Sequence, residues 1–235
     1  MECKRYGYAG RPVLFIPCQD GRFFDFENFG MSKVWASWIE SGQVMVFAVD
    51  TIDRETWSDV YGDSYWRARH YESWLRYLVD EVVPLMRDTA RRHNGWEGEP
   101  GIIAYGSSLG ATHAANLFFR FPDVFTGLLA LSGVYTAEYG FGNYMDAVVY
   151  QNSPIHYLAN MPADHPYIEK YNRNRAIFCV GQGEWEEPWT TFRLADIFAE
   201  KGIYAWVDVW GHDVSHGWDW WYRQVEYFLP KLLGN

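Results

Sequence analysis

Ser108 stands in the middle of Gly106-Ser107-Ser108-Leu109-Gly110, directly after the apolar run Ile102 to Tyr105 and directly before the helix-like stretch Ala111 to Phe119. A serine on a turn from strand to helix is a nucleophile elbow. The turn is so tight that the residues two places on either side must lack bulky side chains, and Gly106 and Gly110 occupy those places. The hydroxyl then stands above the sheet. The backbone N–H of Leu109 and the first turn of the following helix would meet the negative intermediate of an attack by Ser108 on a carbonyl. Glycine-rich turns elsewhere reproduce this spacing by chance, so the strand before and the helix after carry the reading.

A serine hydroxyl needs a base. Trp210 to Trp218 offers His212 and His216, and serine first with histidine last is the chain order of an α/β-hydrolase triad. Tyr204 to Val209 reads as the last strand. Trp218, Trp221, Tyr222, Val225, Phe228 and Leu229 fall on one helical face, which makes a closing helix. His216 immediately precedes that helix and is preferred by placement, while His212 lies at the strand end. The i, i+4 spacing of the two histidines also resembles a zinc motif with aspartate in place of glutamate. That spacing brings two imidazoles together only on a helix, and Gly211 and Gly217 argue for a loop, so no metal is expected. The acid should follow the preceding strand, Ala176 to Val180, in the loop that holds Glu184 and Glu186. Asp208 and Asp213 are weaker, the first lying within a strand and the second beside His212.

A second donor to the oxyanion should come from the loop after Val13 to Ile16, where the backbone N–H of Cys18 or Gln19 would serve and Gly21 permits the turn. Cys18 reads as a packed thiol rather than a nucleophile, and three cysteines with no close pairing pattern read as free thiols. Aromatic residues are abundant, with 13 Trp, 17 Tyr and 15 Phe. One group (Phe23, Phe24, Phe26 and Phe29) lies beside the oxyanion loop, and another (Tyr135, Tyr139, Phe141, Tyr144 and Tyr150) follows the fourth strand.

These residues must be held by a sheet. Apolar runs at Val13 to Ile16, Val44 to Val49, Ile102 to Tyr105, Leu128 to Leu131, Ala176 to Val180 and Tyr204 to Val209 alternate with helical stretches, which predicts a mainly parallel sheet flanked by helices on both faces. Met1 to Tyr8 has room for one more strand. A helix from about Ala68 to Arg92 should be bent or split at Pro84. At 235 residues without repeat or linker, the chain is expected to form a single domain over 1–235. The formal charge of -10 argues against nucleic acid and anionic membrane as partners. No run of eighteen apolar residues occurs, and Met1 to Arg5 lacks a signal-peptide core, so a cytoplasmic location is expected.

Several segments together resemble the Putative esterase family of α/β-hydrolases, related to S-formylglutathione hydrolase, feruloyl esterases and bacterial mycolyltransferases. They are Tyr6-Gly7 to Pro12, Pro17 to Gly30, Val49 to Asp53 with Trp57, the Gly-Ser-Ser-Leu-Gly-Ala elbow, Leu131 to Tyr135, Asn152-Ser153-Pro154, and Val180 to Gly183 with Trp185-Glu186. The family commonly ends in His-Asp-Trp-Pro-Trp-Trp, similar to His216 to Trp221 here with departures at Gly217 and Asp219, and this favours His216. Relatives place the acid at the position of Glu184 or of Glu186; both stay candidates, with Glu186 taken first. The resemblance implies an α/β-hydrolase fold with a cap-like insertion over 133–172. Trp57, Trp185 and Tyr144 are the expected substrate-pocket walls. The function implied is serine esterase activity on a small-molecule ester through a Ser-His-Glu triad and an acyl-enzyme, with no cofactor. The same apparatus would serve an acyltransferase, and a catalytically silent binding protein could keep the fold without the chemistry.

Overall fold

The uninterrupted apolar runs become the inner strands of one sheet. In the computed structural model, which describes residues 1–234, the strands are β1 (Cys3–Tyr6), β2 (Arg11–Ile16), β3 (Val44–Val49), β4 (Ile102–Ser107), β5 (Phe125–Leu131), β6 (Arg175–Val180) and β7 (Trp206–Val209). Their spatial order is β1-β3-β2-β4-β5-β6-β7. All neighbours pair in parallel except β1, which runs antiparallel to β3 with Cys3 opposite Val49 and Tyr6 opposite Val46. Every residue of β3 and β4 is buried, as parallel strands covered on both faces require. The last strand starts two residues later than its apolar run suggests, because the Tyr204 amide donates to Asn172 Oδ1 (2.7 Å) instead of joining the ladder.

Side chains alternate across the sheet and feed two cores. Leu14, Ile16, Met45, Phe47 and Ala104 face one side, where α1 (Ser64–Tyr77), α2 (Val83–Asn94), α3 (Leu109–Arg120) and α4 (Trp189–Lys201) pack. Val13, Phe15, Val46, Ile103 and Tyr105 face the other, covered by α5 (Trp218–Leu233) together with Phe26 and Trp35. The predicted long helix is indeed interrupted. A π turn over Leu78–Val82 joins α1 to α2 and places Pro84 in the first turn of α2. A proline there forfeits no needed N–H, and the wider turn gives its ring room against the preceding carbonyls.

Between β5 and β6 the chain forms short helices at Glu138–Phe141, Ala147–Tyr150, Pro154–Ala159 and Pro166–Arg173. Asp146 caps the second by accepting from the amides of Val148 and Val149. Tyr135, Phe141, Val149 and Leu158 of this segment join the same core as α1 to α4. Among the described residues no helix is long and apolar enough to cross a membrane.

Candidate active site

From β2 the chain moves outward to β3 and then returns to the other side of β2 with β4, so the strand order reverses between β2 and β4. The carboxyl ends of strands at such a reversal leave a crevice between diverging loops. The loop after β2 holds Cys18 and Gln19, and the turn after β4 holds Ser108.

Ser108 has φ 56° and ψ -133°, a conformation that costs a non-glycine residue about 1–3 kcal/mol and that persists only where its surroundings enforce it. Two glycines enforce it here. A Cβ on Gly106 would stand 2.3 Å from the Gly110 carbonyl, and one on Gly110 would stand 2.3 Å from the Ile16 oxygen. The Ser108 amide donates to Leu131 O (2.8 Å) and ties the turn to β5. Leu109 opens α3, so its N–H has no acceptor within its own helix.

The loops after β6 and β7 are pressed together on the same side. The Gly183 amide donates to Val214 O (2.8 Å) and the His216 amide donates to Glu184 O (2.9 Å). A Cβ on Gly181 would lie 2.3 Å from Val214 O, so this contact requires glycine. The result aims His216 Nε2 at Ser108 Oγ, 2.9 Å away, and His216 Nδ1 at Glu186 Oε2, 3.4 Å away. Glu186 has a side chain only 1% exposed. Its Oε1 accepts from Ser132 Oγ (2.7 Å) and from the Gly181 amide (3.1 Å), which fixes the carboxylate and leaves Oε2 for the imidazole. Ser132 in turn accepts from Trp221 Nε1 (3.0 Å), and the Trp221 ring meets the His216 ring edge to face at 5.0 Å. The closing helix thus braces both His216 and the carboxylate of Glu186.

Of the residues singled out in the sequence, Ser108, His216 and Glu186 meet. Glu184 contributes only its carbonyl, and its side chain is exposed. His212 is exposed and turns toward Gln182 O, 3.4 Å away, so the two imidazoles engage different partners from a loop. Asp208 lies in β7 and Asp213 is exposed. The departure from the family pattern at Gly217 leaves the histidine in place: Gly217 is extended (φ -170°), with open space where a Cβ would be. Burial pushes the Cys18 thiol up to about 12, which keeps it protonated at neutral pH.

A cavity of about 190 Å³ beside Ser108 is lined by Leu109, Val134, Tyr139, Trp185, Glu187 and His216. Trp185 lines this cavity, whereas Trp57 and Tyr144 stand elsewhere. Trp57 is 1% exposed and packs edge-on against Tyr71, His113 and Phe141, because the insertion folds onto it with Gly140 at its backbone. Tyr144 donates to Asp146 Oδ2 (3.0 Å), and of the aromatic residues in that segment Tyr139 reaches the cavity. The Tyr139 hydroxyl donates to Gln19 Oε1 (2.9 Å), which joins the insertion to the loop after β2. Ser132, Glu187 and Val134 were not singled out. Ser132 carried a signal, a polar residue at the end of an apolar strand before glycine, and its φ of 54° shows how sharply the chain turns there.

The sheet order, the strained serine after its central strand and the histidine after its last strand define an α/β-hydrolase fold. The chain matches the Putative esterase family over residues 4–225 and belongs to it, which makes the protein a carboxylic ester hydrolase. No curated protein matches the sequence. Similar solved structures include a ferulic acid esterase from the anaerobic fungus Anaeromyces mucronatus, with TM-score 0.67 at 10% identity, covering 96% of this chain and 80% of that one. An S-formylglutathione hydrolase from Staphylococcus aureus gives 0.64 at 11% identity, covering 97% and 83%. MPT51 from Mycobacterium tuberculosis gives 0.63 at 15% identity, covering 99% and 92%. At these identities the likeness is one of fold.

Proposed function

We propose that the protein hydrolyses a small-molecule carboxylic ester with Ser108 as nucleophile, His216 as general base and acid, and Glu186 as the carboxylate that orients the histidine. The observation that carries this reading is the 2.9 Å contact between His216 Nε2 and the hydroxyl of a serine held at φ 56°. Glu186 Oε2 accepts from Nδ1–H and so selects the tautomer in which Nε2 is free to take a proton.

In the first half-reaction the Ser108 proton passes to Nε2 while Oγ attacks the carbonyl carbon. The oxyanion is held by the Leu109 N–H and by a backbone N–H of the Cys18-Gln19 segment. Collapse of the intermediate expels the alcohol, which takes the proton from His216, and leaves an ester on Ser108. Water then gives its proton to Nε2 and attacks the acyl carbon; return of that proton to Oγ releases the carboxylic acid. Support for a second donor from this segment is the close approach of Gly110 to Ile16 O and Pro17 O, which sets the start of α3 against the loop leaving β2.

Labelling with a neutral fluorophosphonate followed by peptide mass mapping tests this. An adduct at Ser108, absent in Ser108→Ala and formed at least 100-fold more slowly in His216→Ala, is expected. No adduct, or an adduct on another residue, overturns the reading.

A further inference from the structure

The wall of the cleft is aromatic and negative. Trp185 is 79% exposed and is held at φ 66°, a conformation rare for a bulky residue. The turn that buries Glu186 is the one that lifts Trp185 outward, so an indole face is presented to solvent beside His216. Tyr139, which lines the same cavity, is fixed through its hydroxyl to Gln19, whose Nε2 donates to Ser58 Oγ (2.8 Å). Glu187 completes the wall and has no ion-pair or hydrogen-bond partner among the described residues. No lysine or arginine lines the cavity. Burial, and after it the charges of Glu187, Asp20 and Asp53, push the Tyr139 hydroxyl up, which keeps it a neutral donor and reflects the negative field at this wall.

We infer that the cleft recognises a positively charged ammonium group on its ester substrate, with Glu187 as counter-ion and Trp185 and Tyr139 as the aromatic faces. The inference rests on the Ser108 hydrolase reading and gives it a substrate class. Two aromatic rings and a carboxylate lining one cavity match the needs of a quaternary ammonium group, whose charge is spread over methyl groups that shed water readily. A cation over an aromatic face is attracted by the ring quadrupole, most strongly when it is desolvated. The lone carboxylate adds attraction for cations and repels anionic esters from the same place.

The test compares acetylcholine with 3,3-dimethylbutyl acetate, which has the same shape with carbon in place of the charged nitrogen. We expect kcat/KM to favour the cationic ester by about tenfold. Glu187→Gln and Trp185→Ala should each draw that ratio toward unity, while Glu40→Gln, which removes a surface carboxylate elsewhere, should leave it in place. The second measurement is protection of Ser108 from a neutral fluorophosphonate by tetramethylammonium chloride, against sodium chloride at equal ionic strength. Protection in the native protein that is lost in Glu187→Gln supports the inference even where acetylcholine turns over slowly. A ratio within twofold of unity together with no protection overturns it, while the labelling itself still stands for the serine hydrolase. Failure of labelling in the native protein removes the hydrolase reading and this inference with it.

Discussion

At the scale of single residues the site is a division of labour between neighbours of the same type. Glu184 and Glu186 lie two apart in one loop, yet one side chain is exposed and the other has a side chain 1% exposed with Oε2 toward His216. The left-handed Trp185 between them separates their directions. Glu186→Gln would offer the imidazole an amide that can present N–H as well as C=O, so the productive tautomer is no longer selected. We expect kcat to fall by about 10²–10⁴-fold, with Glu184→Gln within about threefold of native, as read from steady-state ester hydrolysis. Equal losses in the two variants would remove Glu186 from its role.

At the scale of elements, α1 is tied to α3 and to the insertion by one partly buried carboxylate. Glu72 accepts two bonds from Arg120 (2.7 and 2.8 Å) and one from Asn152 Nδ2 (3.1 Å), while Asn152 Oδ1 accepts from Asn116 Nδ2 (2.7 Å). Burial raises the Glu72 carboxyl, but these bonds and the charge of Arg120 outweigh it and hold it below the usual carboxylate range. A depressed folded value means that the carboxylate contributes stability above the unfolded pKa of about 4.3 and loses it as pH falls through the folded value. Glu72→Gln should therefore cost ~2 kcal/mol at pH 7, less than a fully buried pair would. The difference from native should shrink steadily below about pH 4 in urea titrations. A difference independent of pH would deny the carboxylate this role.

At the scale of the whole molecule, the two cores share one sheet, and the segment 133–172 buries Tyr135, Phe141 and Tyr171 in the first core. The chain should therefore unfold as a unit despite its length. Melting curves from tryptophan fluorescence, in which Trp57 packed on Phe141 reports on a segment that itself holds no tryptophan, and from far-UV circular dichroism should coincide within about 2 °C. A separate early transition in fluorescence alone would mark the insertion as independent. Asn235 lies outside the described residues, so the expectation of a single unit is made for 1–234.

The order of elements and the geometry of the elbow were written in local sequence. Apolar runs specify buried parallel strands because both faces are covered, as Val44 to Val49 shows with unchanged bounds. Gly106 and Gly110 mark the elbow because no other residue fits those contacts. His216 was legible from its place between the last strand and the closing helix. The direction of a side chain on an irregular loop has no such period, which is why Glu184 and Glu186 could not be separated until the loops after β6 and β7 met. The same reason moved Trp57 into the core and brought Tyr139 to the cleft instead of Tyr144: aromatic composition predicts burial, but only the packing of the segment 133–172 against α1 and α3 decides which ring lines the cavity beside Ser108.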